Sequence, residues 1–193
     1  MFKILSKIVN GAKGAIIASL KGSSDILSSV VNAVKNLTVN TFKETGDVLR
    51  EGIQVPAAIV KGSIEGVSSI GVTIIKSIKG IVDGTVQGAM QSGVEQKHAV
   101  KGAVAQALYS AKEFGEDVGS TAVASVLGAV NGVKQVGGDT VKATFTAIKT
   151  VLTVADELGD ETLESVKGSL KESIDGAKDI IGEIESEKKS SKK

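Results

Sequence analysis

VKGSIEGVSSIGVTIIKSIKGIV, residues Val60–Val82, carries a pattern that returns at every eleventh position of the chain. Val60, Gly71, Val82, Gly93, Val104, Gly115, Val126, Gly137, Ile148, Gly159, Leu170 and Ile181 form one column, with large apolar residues alternating with glycine almost to its end. Four residues on stand Ile64, Ile75, Val86, Lys97, Leu108, Gly119, Val130, Val141, Leu152, Leu163 and Ile174. Seven residues on stand Val67, Ile78, Ala89, Val100, Ala111, Ala122, Val133, Thr144, Ala155, Val166 and Ala177. Eleven residues in three turns is about 3.67 per turn, so such a stripe holds one face of an α-helix with little drift.

The register runs back through Leu5, Ile16, Leu27 and Leu49, and through Val9, Leu20, Val31, Phe42 and Ile53, with Ile4 and Ile8 alongside. A loop of arbitrary length would shift the phase. No shift occurs at the favoured turn sites Asn36–Asn40, Gln96–His98 and Gly137–Asp139. The expectation is an all-α chain built as one repeat array of long amphipathic helices. Pro56, the single proline, predicts a kink or a hairpin near Gln54 and Val55. The array then divides into a basic helical arm (1–55), a regular helical region (57–185) and a disordered Lys/Ser tail (186–193).

Aromatic residues make up 3% of the 193 residues and hydrophobic residues 41%, a thin aliphatic payload that suits a long stripe better than a bulky core. The net charge of +1, without RNA-binding aromatic motifs or zinc-finger spacing, gives no reason to expect nucleic acid. The chain has no Cys, which removes disulfides and thiolate chemistry. The longest uncharged run, Val118–Val133, is broken by glycine and hydroxyl residues and is too short for a spanning helix of roughly 20 apolar residues. The start of the chain lacks the apolar core of a secretory signal and is expected to stay on the mature protein.

On an eleven-residue wheel the apolar columns fill an arc of roughly a third to two fifths of the circumference. A lysine column, Lys13, Lys35, Lys79, Lys101, Lys112, Lys134, Lys167 and Lys178, borders that arc, and Lys3 and Lys7 flank the first two turns. Acids lie further round. Lysines at an apolar edge can rest their stems in a lipid boundary and reach phosphates, so these ten are the candidate phosphate contacts. Gly62, Gly66, Gly80, Gly84, Gly88, Gly128 and Gly132 lie on the flank and give small-xxx-small spacings that let a neighbouring helix come close. Each interior glycine also costs about 1 kcal/mol against alanine, on the order of 20 kcal/mol over the chain. A solitary helix of this composition therefore needs lipid or partner helices.

Residues 156–187 hold half of the chain's 22 acidic residues. His98 is the lone histidine and stands on a polar column, and no P-loop, dinucleotide fingerprint, calcium loop or metal-ligand cluster is present. No catalytic residue, cofactor, metal or small-molecule substrate is expected.

Val60, Lys61, Gly62, Ser63, Ile64, Glu65, Gly66 and Val67 resemble the eleven-residue Lys-Thr-Lys-Glu-Gly-Val repeat of synucleins, with echoes at Val141–Thr144 and Val166–Ser169. The array as a whole is also similar to those of perilipins, exchangeable apolipoproteins and, more loosely, bacterial phasins. The resemblance implies a protein that coats a membrane, lipid droplet or storage granule with helices that fold on binding; the lysines add the expectation of an anionic surface and the absence of Cys that of a cytoplasmic location. Two other readings suit the same stripe. One is self-assembly with further copies into a bundle, tube or filament; the other is a desiccation protectant, which the mean hydropathy of +0.16 disfavours.

Overall fold

Gly71, Gly93, Gly115 and Gly137 stand 22 residues apart and have φ of 72°, 87°, 71° and 72°, the left-handed region that a side chain disfavours. Each ends a helix in the same way. The N–H groups of Val72, Val94, Glu116 and Gly138 donate to the carbonyls of Val67, Ala89, Ala111 and Val133 at 3.2, 3.0, 2.8 and 2.9 Å, the long bond of a Schellman turn. The next helix then begins at Ile74, Gln96, Val118 or Thr140. The glycines that alternate with apolar residues in the eleven-residue column are thus turn residues.

The computed structural model describes residues 2–20, 25–45 and 52–190. Among them it is all-α, with no strand. The helices are α1 (Phe2–Leu20), α2 (Ile26–Thr45), α3 (Gln54–Ser69), α4 (Ile74–Gln91), α5 (Gln96–Phe114), α6 (Val118–Gln135), α7 (Thr140–Leu158), α8 (Asp160–Ser173) and α9 (Ala177–Ser190). For α4, α5 and α6 each helix plus its turn spans two eleven-residue units, since the helices start at Ile74, Gln96, Val118 and Thr140. This is why the phase holds there although the chain reverses direction: helix and turn together have one fixed length. Of the three favoured turn sites, Gly137–Asp139 is a turn, Gln96–His98 opens α5, and Asn36–Asn40 lies inside α2.

Pro56 is buried in the first turn of α3, where its missing N–H would have had no helical acceptor in any case. It opens a helix. Asp117 and Asp139 cap α6 and α7, their carboxylates accepting from the N–H of Ser120 (2.6 Å) and Lys142 (3.0 Å). At the far end Gly159 (φ 122°) and Gly176 (φ 76°) bracket the shorter α8, and α9 continues to Ser190, past the residue where helix was expected to give way to a tail.

Each helix packs on the next and on the next but one, which sorts the odd-numbered helices into one layer and the even-numbered into a second. Helices within a layer run parallel: Gly62 and Gly66 of α3 meet Val9 and Lys13 of α1 in ascending order, as Gly128 and Gly132 of α6 meet Lys79 and Asp83 of α4. The result is a two-layer helical stack in which every unit buries its apolar face on its neighbours. Its core includes Ile16, Val34, Ile64, Ile81, Leu108, Ile148 and Leu170, with Phe42 the largest fully buried side chain.

The seams within a layer are set by glycine. A methyl built on Gly62 would lie 2.1 Å from the Val9 carbonyl oxygen, on Gly84 2.5 Å from that of Val31, and on Gly128 2.5 Å from that of Lys79. On Gly66 it would lie 2.9 Å from the Lys13 carbonyl oxygen and on Gly88 2.7 Å from that of Lys35, and Gly80 is buried in α4. Only a residue without Cβ lets these backbones approach so closely.

Gly128→Ala is expected to lower stability by about 1–3 kcal/mol through overpacking. Gly182→Ala on α9, where nothing lies within 4 Å, is expected to raise it by up to about 1 kcal/mol. Chemical denaturation of the two variants measures both, and equal effects would contradict the seam.

Candidate interaction surface

The stripe residues are distributed through this stack unevenly. Ile8, Ile16, Leu20, Phe42, Val60, Ile64, Val67, Ile78, Val82, Val86, Val100, Val104, Leu108, Val126, Val133, Ile148, Leu152, Val166, Leu170 and Ile181 are buried in the common core. Leu5, Val9, Val31, Ile53, Ile75, Val130, Leu163 and Ile174 are half-buried at its margin. Ile4 and Val141 face outward at 45% and 79% exposure, outside the core that covers most of the stripe. Both sit in the first turn of a helix on a side that no neighbour covers. The side chain of Leu27, and Leu49 entirely, lie outside the described residues.

The lysine column does not form one plane. Lys13, Lys101, Lys112 and Lys178 belong to the odd layer, and Lys35, Lys79, Lys134 and Lys167 to the even layer. Lys13, Lys35 and Lys79 lend their backbones to the glycine seams. Lys167 is held by Glu164 at 2.8 Å and Glu185 at 2.9 Å, and these two hydrogen bonds, Glu164 first, push its pKa up. Lys3, Lys7, Lys79, Lys101, Lys112, Lys134 and Lys178 are exposed.

A groove of about 1150 Å³ opens between α5 and α7. Its cause lies in the register. Positions 62, 84 and 128 are glycine, as are 66, 88 and 132, but the equivalent pairs are Gln106 with Ser110 in α5 and Thr150 with Val154 in α7. α7 contains no glycine, and its Thr150 and Val154 line the groove. Lys97, Lys101, Lys142 and Lys149 share the lining with Glu95, Asp139, Glu157 and Glu183, so the rim is charge-balanced. Tyr109 bridges the two helices by donating to Glu157, and that bond, with burial and the carboxylate's charge, pushes the phenol up to about 12. At the other end the Gln96 side chain clamps the start of α7, donating to the Asp139 carbonyl at 2.8 Å and accepting from its N–H at 3.0 Å.

Among the described residues the most buried carboxylate is Asp83 in α4, only 5% exposed. It accepts from Gln87 at 2.7 Å and from Asn131 of α6 at 2.6 Å, a polar cross-link beside the Gly132 seam. The sequence reading missed this cluster; Asp83 and Gln87 four residues apart on a helix are its only local signal. His98 stands 3.7 Å from Glu95 at the start of α5, outside the groove lining. Among the described residues no group of three or more metal-ligating side chains occurs, and no helix is long and apolar enough to cross a membrane. No family model matches the chain, and no curated protein matches it.

The Ser120 hydroxyl and N–H hold the Asp117 carboxyl below the usual carboxylate range. A carboxyl depressed in the folded state contributes fully above its unfolded pKa, and the contribution is lost as pH falls through the folded value. Asp117→Ala should therefore cost about 1 kcal/mol at pH 7. The difference from the parent should shrink on acidification below pH ~4; a pH-independent difference in denaturant midpoints would contradict the cap.

Proposed function

We propose that this chain is a non-enzymatic structural protein that assembles with further copies through the outer faces of its helical stack. The observation that carries the reading is the fate of the apolar stripe. The side chains suited to a lipid boundary are already covered, because α1 and α2 meet α3 and α4, and each later pair meets its predecessor. Coating lipid with that stripe requires the stack to open and give up these contacts, whereas assembly uses the folded stack as it stands. The polar groups that the groove and the seams bring together, Tyr109 with Glu157, Gln96 with Asp139 and Asp83 with Asn131, run from one helix to another and suit a structural role.

A second reading keeps the lipid surface. The first two turns of α1 expose Ile4 between Lys3 and Lys7, a small amphipathic edge suited to an anionic headgroup layer on a membrane, droplet or granule.

Sedimentation velocity without lipid, over a wide range of concentration, is expected to show species growing beyond the 19.7 kDa chain. Flotation with phosphatidylserine vesicles is expected to leave the protein unbound. A monomer at every concentration that floats with the vesicles would reverse the order of the two readings.

A further inference from the structure

The groove between α5 and α7 is balanced in the number of its charges but not in their pairing. Lys142 pairs with Asp139 at 3.5 Å and Lys149 with Glu187 at 2.8 Å. Glu95 stands 3.7 Å from His98, and Glu157 accepts from Tyr109. Among the described residues Lys97 and Lys101 have no such partner, and both are exposed. They stand one turn apart on the α5 wall, so their ammonium groups lie on the same side of the helix. Glu183 enters the lining from α9, which packs on α7 and α8.

The inner lining offers little to a polar guest. Thr150 and Val154 are buried, and Ala105 and Phe145 half-buried. The hydroxyls of Thr150 and Thr153 donate to the carbonyls of Thr146 and Lys149 in their own helix, at 2.7 and 2.8 Å, so neither is left to donate to a ligand. The Tyr109 hydroxyl is likewise spent on Glu157. From Lys97 to Tyr109 the α5 wall runs about 18 Å at 1.5 Å per residue. One leaflet of a bilayer's hydrocarbon core, the depth of a single acyl tail, is about 15 Å.

We infer that this groove binds a long-chain carboxylate, its head between the ammonium groups of Lys97 and Lys101 and its tail along Ala105, Phe145, Thr150 and Val154 toward Tyr109. The tail gains by leaving water for the apolar lining, and the two lysines select the charge at the head. A carboxylate brings one negative charge where a phosphate monoester brings about 1.5 to 2, and Glu95 and Asp139 at that end of the groove repel the larger charge. The site uses the folded stack as it stands and is independent of the assembly reading.

Fluorescence titration of the full chain with dansyl-labelled undecanoic acid tests the site. The probe is expected to saturate at one per chain and to be displaced by dodecanoate. Dodecanol, which has the tail without the charge, should compete at least about tenfold less well, and dodecyl phosphate also less well than dodecanoate. The double variant Lys97→Gln/Lys101→Gln should lower the affinity for the probe at least about tenfold. Lys76→Gln/Lys79→Gln on α4 removes the same charge elsewhere and should leave it unchanged. All four lysines are exposed, so folding should survive, and circular dichroism checks that it does. Absence of saturable binding to the unaltered chain would overturn the site, as would dodecanol competing as well as dodecanoate or the two double variants acting alike. Dodecyl phosphate competing as well as dodecanoate would overturn the carboxylate head.

Discussion

The approach of one helix backbone to another across a glycine is the constraint on which the rest of this structure depends. Helices joined by turns of four residues or fewer, as α3 to α9 are, must lie side by side, and with few aromatic side chains the chain cannot fill wide gaps between them. It closes them instead. Where glycine occupies two successive turns on one face, as at Gly62 with Gly66, Gly84 with Gly88 and Gly128 with Gly132, the backbones come close enough for small aliphatic side chains to complete the core. The same residue costs helix stability when a helix stands alone, on the order of 1 kcal/mol at each site. Glycine thus makes each helix weak by itself and the stack tight, which couples the units to one another.

Where that constraint lapses, the surface changes character. α7 carries Thr150 and Val154 in place of the glycine pair and stands off from α5, and a charge-balanced groove takes the place of a seam. Polar links tie helices together both at the groove and beside a seam. Tyr109 with Glu157 and Gln96 with Asp139 tie the sides of the groove, and Asp83 with Asn131 ties α4 to α6.

Much of this was legible in the residues. The eleven-residue period, the all-α class and the seam glycines follow from spacing and size alone. The turns did not, because Gly71, Gly93, Gly115 and Gly137 occupy the column of Val60 and Val82, and a period of eleven treats them as interruptions of an apolar stripe. At a period of 22 they separate into a column of their own, and only the positive φ shows why glycine is needed there. The groove was hidden for a related reason. It appears when Gly62, Gly84, Gln106, Gly128 and Thr150 are set in one column, where the loss of glycine at Thr150, the member that lines the groove, marks the gap. The bonds of Asp83 depend on α4 and α6 being neighbours, which no local pattern contains.

The measurement that bears most directly on this account is the distance between spin labels at Lys76→Cys and Ser120→Cys, exposed positions on α4 and α6 in a chain with no cysteine of its own. Adjacent parallel helices of one layer place the labels under about 25 Å apart, allowing for axes 8–10 Å apart and the label arms. One uninterrupted helix would separate these positions by about 66 Å at 1.5 Å per residue. A distribution centred on the short distance in lipid-free solution is what the stack predicts, and one centred on the long distance would contradict it.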